Sequence, residues 1–273
     1  MTALATRPGK GRLSRARSTP QSPRPLSVLA LRVGACIVFF GGWLYLQGPG
    51  GVSRAILPTL QQVWSELLAF LSTSAGYHAM LVTLGEVVAA LVIAVTLGFA
   101  VGFWGARKGL RAGVLEPLLI WGYLVPTILF YPLFLLWLGF GVSSKVGYAA
   151  VSAFFPIAYN CIRAYQRVDA RYIQVGRAFG ATPRQLDWQI KFRGGLPLAA
   201  AGLKLGVAQA IVSVIVAEML GSSQGLGYLI QRHSQSFRIP SLYATIVIVL
   251  IVVGILHTVV KLLLREDTPM QAR

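Results

Sequence analysis

Acidic residues are scarce in this sequence: eight Asp and Glu stand against 25 Lys and Arg among 273 residues, with three His and two Cys. A membrane enzyme would need ionisable groups clustered at one depth, and Glu86 and Glu218, acids in or at the ends of apolar runs, are scattered. Cys36 and Cys161 have neither a CxxC spacing nor a His at ligand spacing. Neither a disulfide nor a metal site is indicated, and small buried apolar side chains are the plainer reading. There is no GxxxxGK followed by Ser or Thr, and nothing resembles a hydrolytic triad, so the chain itself cannot supply energy from ATP. Charged residues of both signs make up only 12% of the chain, whereas 55% is hydrophobic. That balance excludes an ordinary soluble domain and places the chain in a bilayer.

A crossing takes about 20 apolar residues for about 30 Å of hydrocarbon. Six runs qualify: 28–46, 80–104, 115–138, 146–162, 196–220 and 242–264. The third carries Pro117, Pro126 and Pro132 and must kink or unwind. Between the first two, LPTLQQVWSELLAFL sets Leu60, Val63, Trp64, Leu67, Leu68 and Leu71 on one helical face, with Thr59 and Gln62 as a capping box. It is too short to span and belongs at the outer interface or against the bundle. Residues 1–27 hold six bases and no acid amid Pro, Ser and Gly, the composition of a disordered basic tail, and 265–273 form a second tail.

The formal charge of +17 could suggest nucleic acid, but the bases sit in loops and tails and leave the apolar runs almost clear. Charge therefore reports topology. With both termini inside, the inner side holds the tail bases, Arg107, Lys108, Arg111 and the bases from Arg163 to Lys204, and the outer side only Arg54, Lys145, Arg232 and Arg238. The expected fold is all-α with six transmembrane helices, N-in and C-in.

The stretch 169–197 interrupts the apolar pattern. Asp169 reads as the N-cap of a helix to Phe179, Gly180 as a left-handed end, and Thr182-Pro183 as N-cap and N1 of a second helix running to about Phe192. Gly194-Gly195 and Pro197 are expected to break the chain before the fifth span. Tyr172, Val175, Gly176 and Phe179 share a face, while Arg171, Gln174, Arg177, Arg184 and Gln185 can face water or a partner. A basic inner loop can merely hold topology, yet long ordered loops are usually functional.

QVGRAFGATPRQLDWQIKFRGGLP resembles the EAA motif of binding-protein-dependent ABC importer permeases. LPTLQQVW, PLFLLWLGFGVSSK and AEMLGSSQGLGYLI resemble the branch that handles sulfonates, taurine and nitrate, and the similarity covers residues 52–264. The resemblance implies a permease domain over 28–264 whose cytoplasmic coupling helix, between the fourth and fifth spans, docks on an ATPase subunit. On this alignment Gln174, Arg177, Gly180, Ala181, Thr182, Pro183, Arg184, Gln185 and Leu186 carry the contact. The motif glutamate is replaced by Gln174 and its second alanine by Gly176. The implied assembly is a homodimer in membrane lipid of the bacterial inner membrane, with two cytoplasmic ATPase subunits holding ATP and Mg and a periplasmic or lipid-anchored substrate-binding protein, and no nucleic acid. The cargo would be a sulfonate, taurine or nitrate, or alternatively a thiamine or riboflavin precursor. An ion-coupled carrier acting alone should show internal repeats, and none is found.

Gln209, Ser213, Glu86 and Asn160 are candidates for the substrate path, since polar groups at bilayer depth ask for a partner or a wet cavity. Packing is the primary reading of the small-residue stripe Gly202, Gly206, Ala210, Ser213 and Ala217, and it serves Gln209 beside the stripe and Ser213 on it at least as well as a path does. Glu218 is expected to be a structural acid paired with an outer-loop base such as Arg232 or Arg238.

Overall fold

The computed structural model describes residues 25–48, 51–53, 56–107 and 109–264. The expected tails, 1–27 up to residue 24 and 265–273, lie outside the described residues, as do Arg54 and Lys108 and the side chains of Arg111 and Cys36. All regular structure among the described residues is helical. Helix α1, Pro25–Leu46, belongs to a first unit that ends at residue 54, and most of its described side chains are exposed.

The second unit holds α2 (Leu60–Ser72), α3 (Ser74–Ala106), α4 (Gly109–Leu124), α5 (Tyr131–Leu138), α6 (Val142–Gln166), α7 (Ala170–Ala178), α8 (Pro183–Gln185), α9 (Arg193–Gly221), α10 (Leu226–Gln235) and α11 (Ile239–Leu263). Thr59 and Gln62 close the expected capping box on α2, which packs against α3 and α11 through Val63 and Leu67 while Trp64 and Leu68 stay exposed.

Helix α6 is the centre of this unit, packed between α3 and α9. Glycines let the backbones close: a Cβ added at Gly102 would stand 2.5 Å from Cys161 Cβ, and one at Gly206 would stand 2.5 Å from Ile157 Cγ1. Both distances are below any real contact, so the stripe on α9 is a packing surface. Gly206→Leu is expected to lower stability by about 1–3 kcal/mol through overpacking, read as a fall in melting temperature in nanodiscs, whereas substitution at Gly254, where a Cβ meets nothing, should leave melting unchanged.

Among the described residues three helices are long and apolar enough to cross a membrane: Ser74–Ala106, Pro183–Gly221 and Ile239–Leu263. A fourth is formed if the pair Gly113–Leu124 and Thr127–Leu138, bent by 81°, counts as one broken span. The bend falls at Pro126, as its missing amide predicts, whereas Pro117 is absorbed within α4 and Pro132 sits harmlessly in the first turn of α5. Helix α6 has the length but not the composition, because its neighbours shelter it from lipid.

Two expectations need correcting. The chain does not break at Gly194-Gly195 and Pro197: a π-helical turn, Leu186–Phe192, runs straight into α9. Gly195 instead lets α9 approach α6, since a Cβ there would lie 2.6 Å from the Ala164 carbonyl oxygen. Nor does Lys145 belong to an outer turn: α6 starts at Val142 and buries it.

Candidate functional site

The segment between α6 and α9 is a corner built by capping. The Asp169 carboxylate accepts the Arg171 amide at 2.9 Å and its guanidinium Nε at 3.0 Å, and these bonds hold the carboxyl below the usual carboxylate range. At the other end of α7, Gly180 takes φ 76°, its amide donates to Arg177 O and the Ala181 amide donates to Gly176 O, both at 2.9 Å. This paired pattern ends the helix in the left-handed turn that favours glycine. Thr182 then caps α8, with its amide donating to Gln185 Oε1 at 2.8 Å in a full capping box.

Gln174, Arg177, Gly180, Thr182, Pro183, Arg184 and Gln185 are exposed around this corner, and Ala181 is half-buried. Leu186 differs: it is buried and meets Gly176, where an added Cβ would lie 2.8 Å from its Cδ2 and 2.5 Å from Ile190 Cδ1. The motif's second alanine is thus glycine where two side chains fold under α7. Leu186 props the corner and presents little surface. The apolar face of α7 points outward: Phe179 is 88% exposed, Val175 54% and Tyr172 51%. This row of apolar side chains, bordered by Arg171, Arg177 and Arg184, lies on the surface rather than in the core.

Beneath the corner lies a cluster that sequence reasoning missed. Asp187 accepts from Tyr165 Oη at 2.6 Å and from Lys191 Nζ at 3.0 Å, with Arg107 Nε at 3.9 Å. Phe103 of α3 sets its ring edge-to-face with Tyr165, Trp188 and Phe192, and the last two stack at 4.8 Å. Arg107, Thr182, Arg184, Gln185 and Trp188 line an open cavity of about 480 Å³ beside it. A single acid between Arg184 and Lys191, followed by aromatics four apart at Trp188 and Phe192, was the available signal.

The path candidates do not converge. Asn160 donates to Pro156 O at 2.8 Å and packs on Gly202; Gln209 is half-buried; Ser213 is buried with its hydroxyl unpartnered. Glu86 is buried at the end of the bundle far from the corner, ion-paired with Lys145, whose Nζ also donates to Ser222 Oγ at 3.0 Å. Glu86 and Lys145 border a cavity of about 420 Å³. Glu218 does not pair with Arg232 or Arg238. Fully buried, it accepts from Thr83 Oγ1 at 2.8 Å and from the Gly227 amide at 2.7 Å, so its oxygens fasten the start of α10 to α3.

Comparison with known proteins identifies this architecture. The family model described as binding-protein-dependent transport system inner membrane component matches residues 94–265. The chain belongs to that family. It is a transmembrane permease subunit of an ABC importer, a multi-pass protein of the bacterial cytoplasmic membrane. The permease is 26% identical to the taurine transport system permease protein TauC of Escherichia coli, over 90% of this chain and 91% of that one. It is 33% identical to the formylaminopyrimidine transport permease protein ThiX of Halalkalibacterium halodurans, over 68% and 74%, and 27% identical to the putative aliphatic sulfonates transport permease protein SsuC of Bacillus subtilis, over 82% and 81%. A chain from inward-facing structures of the MetNI methionine ABC transporter superposes with a TM-score of 0.60 at 17% identity, covering 76% of the permease and 98% of that chain. This last likeness concerns the fold.

Proposed function

We propose that two copies of this permease line one path, that the corner from Gln174 to Leu186 docks on a cytoplasmic ATPase subunit, and that a substrate-binding protein delivers cargo at the opposite face. The observation that carries the reading is the outward apolar face of α7, Phe179 above all, at an end of the bundle otherwise dressed in arginine. In this reading α1, α3, the bent α4–α5 pair, α6, α9 and α11 are the six spans, and both termini are cytoplasmic, which Arg107 and the bases from Arg163 to Lys191 at the corner end support. ATP and Mg are held by the partner, as the missing P-loop requires. ATP binding draws the two ATPases together, the corners move with them, and the path changes the side to which it opens.

The names of TauC and SsuC favour a sulfonate or taurine as cargo; the higher identity to ThiX, over a shorter stretch, favours a thiamine-type precursor as the second reading. The permease should be co-expressed with its ATPase and binding protein and assayed in proteoliposomes with taurine, an alkanesulfonate, nitrate and formylaminopyrimidine. ATP-dependent import of one of them is the expected result. Uptake that persists without the ATPase would overturn the assignment in favour of a carrier acting alone.

A further inference from the structure

We infer that Asp187 is a positioning residue for energy coupling, locking the π-helical turn Leu186–Phe192 to two spans so that movement of the corner reaches them directly. The inference rests on the reading that the corner meets the ATPase. The corner has two routes to the membrane. One is along the chain, through the π turn into α9; a π turn carries an extra residue per turn, lies one hydrogen-bond register from an α-helix, and is a weak link for transmitting force. The other runs sideways. Asp187 receives the Tyr165 hydroxyl of α6, and that hydroxyl in turn accepts from Lys191 Nζ at 3.3 Å while the ammonium lies 4.8 Å from the Tyr165 ring centre. Arg107, at the end of α3, completes the ring at 3.9 Å from Asp187 and stands over Phe103.

Tyr165 Oη and Lys191 Nζ both donate to Asp187, and Tyr165 is almost wholly buried. The π turn is therefore held to α6 by the charge-assisted Tyr165 hydrogen bond and to α3 by the Arg107 ion pair and the Phe103 aromatic contacts. Helix α6, packed on α3 and α9, distributes what it receives to both. None of Asp187, Lys191 or Tyr165 belongs to the exposed corner surface, so the cluster can be altered without touching the docking face.

The test uses the assembled importer in proteoliposomes, with taurine as cargo, or formylaminopyrimidine where the wild type imports that instead. Asp187→Asn and Tyr165→Phe should each retain the ATPase at wild-type stoichiometry and hydrolyse ATP, but import about tenfold less cargo per ATP, the change that loss of one charge-assisted hydrogen bond brings to a two-state balance. Asp187→Glu, which keeps the charge, should recover most of that ratio, and the Asp187→Asn/Tyr165→Phe pair should be no worse than the more severe single change. Import per ATP at the wild-type value in both single variants would overturn the inference, even if melting fell, because the cluster would then support only the fold. Loss of the ATPase from Asp187→Asn would also overturn it, making Asp187 a docking residue. Should Asp187→Asn leave the permease itself unfolded, Tyr165→Phe, which removes only a hydroxyl, decides. Failure of the parent reading looks different: the ATPase would remain bound after residues 181–186 are deleted.

Discussion

Phe179→Ala is expected to strip the ATPase subunit from the purified importer. The ring is 88% exposed and sits at the end of α7, so its removal takes little from the permease's own packing. Large aromatic side chains at the centre of an interface are where binding energy concentrates, and truncating such an anchor costs about 2–4 kcal/mol. At about 1.4 kcal/mol per tenfold change, affinity should fall by roughly 30-fold or more. Val175→Ala, which removes a smaller half-exposed side chain, should act in the same direction by less. Titration of ATPase onto nanodisc-held permease measures both. Unchanged affinity in Phe179→Ala, with unchanged melting, would move the docking site away from this face. Gln174→Glu, restoring the motif acid beside Arg171 and Arg177, should alter affinity much less, because the shape of the corner rests on Gly180 and the Thr182 cap rather than on that carboxylate.

The corner was legible because it is made of local rules. Asp169, Gly180, Thr182 and Pro183 each act within three or four residues, and caps can be read from order alone. The proline break at Pro126 was legible for the same reason. What was not legible depends on which helices meet. Gly194-Gly195 looked like a break because glycine weakens helices, but α6 passes close enough at Ala164 to give the absent side chain of Gly195 a packing use. Glu218 was matched with the nearest outer bases, Arg232 and Arg238, while its partners Thr83 and Gly227 come from α3 and from the start of α10. The outward face of α7 was read as shared apolar surface, and only the path of the chain shows that nothing among the described residues of this unit covers Phe179.

Lys145→Met is expected to be the most destabilising of the substitutions considered. Its side chain is 4% exposed and that of Glu86 2%, and they are ion-paired between α6 and α3. Removing the ammonium leaves Glu86 a buried carboxylate with Glu218 nearby, whose own oxygens are committed to Thr83 and Gly227. Breaking a buried pair on one side typically costs about 3–5 kcal/mol, because the remaining charge is neither hydrated nor compensated. Glu86→Gln should cost less, since Lys145 keeps the Ser222 hydroxyl at 3.0 Å and the border of a cavity. Replacing both, Lys145→Met with Glu86→Leu, should recover most of the loss, as buried ion pairs exchanged for apolar side chains of similar volume often do. Melting of the wild type, Lys145→Met, Glu86→Leu and the double variant in nanodiscs gives the cycle, and additivity of the two single changes would refute the pairing. The same double variant tests the substrate path. If it folds, keeps its ATPase and imports cargo at the wild-type rate, Glu86 is structural; if it folds and assembles but imports nothing, the acid at the far end of the bundle serves the path as well as the fold.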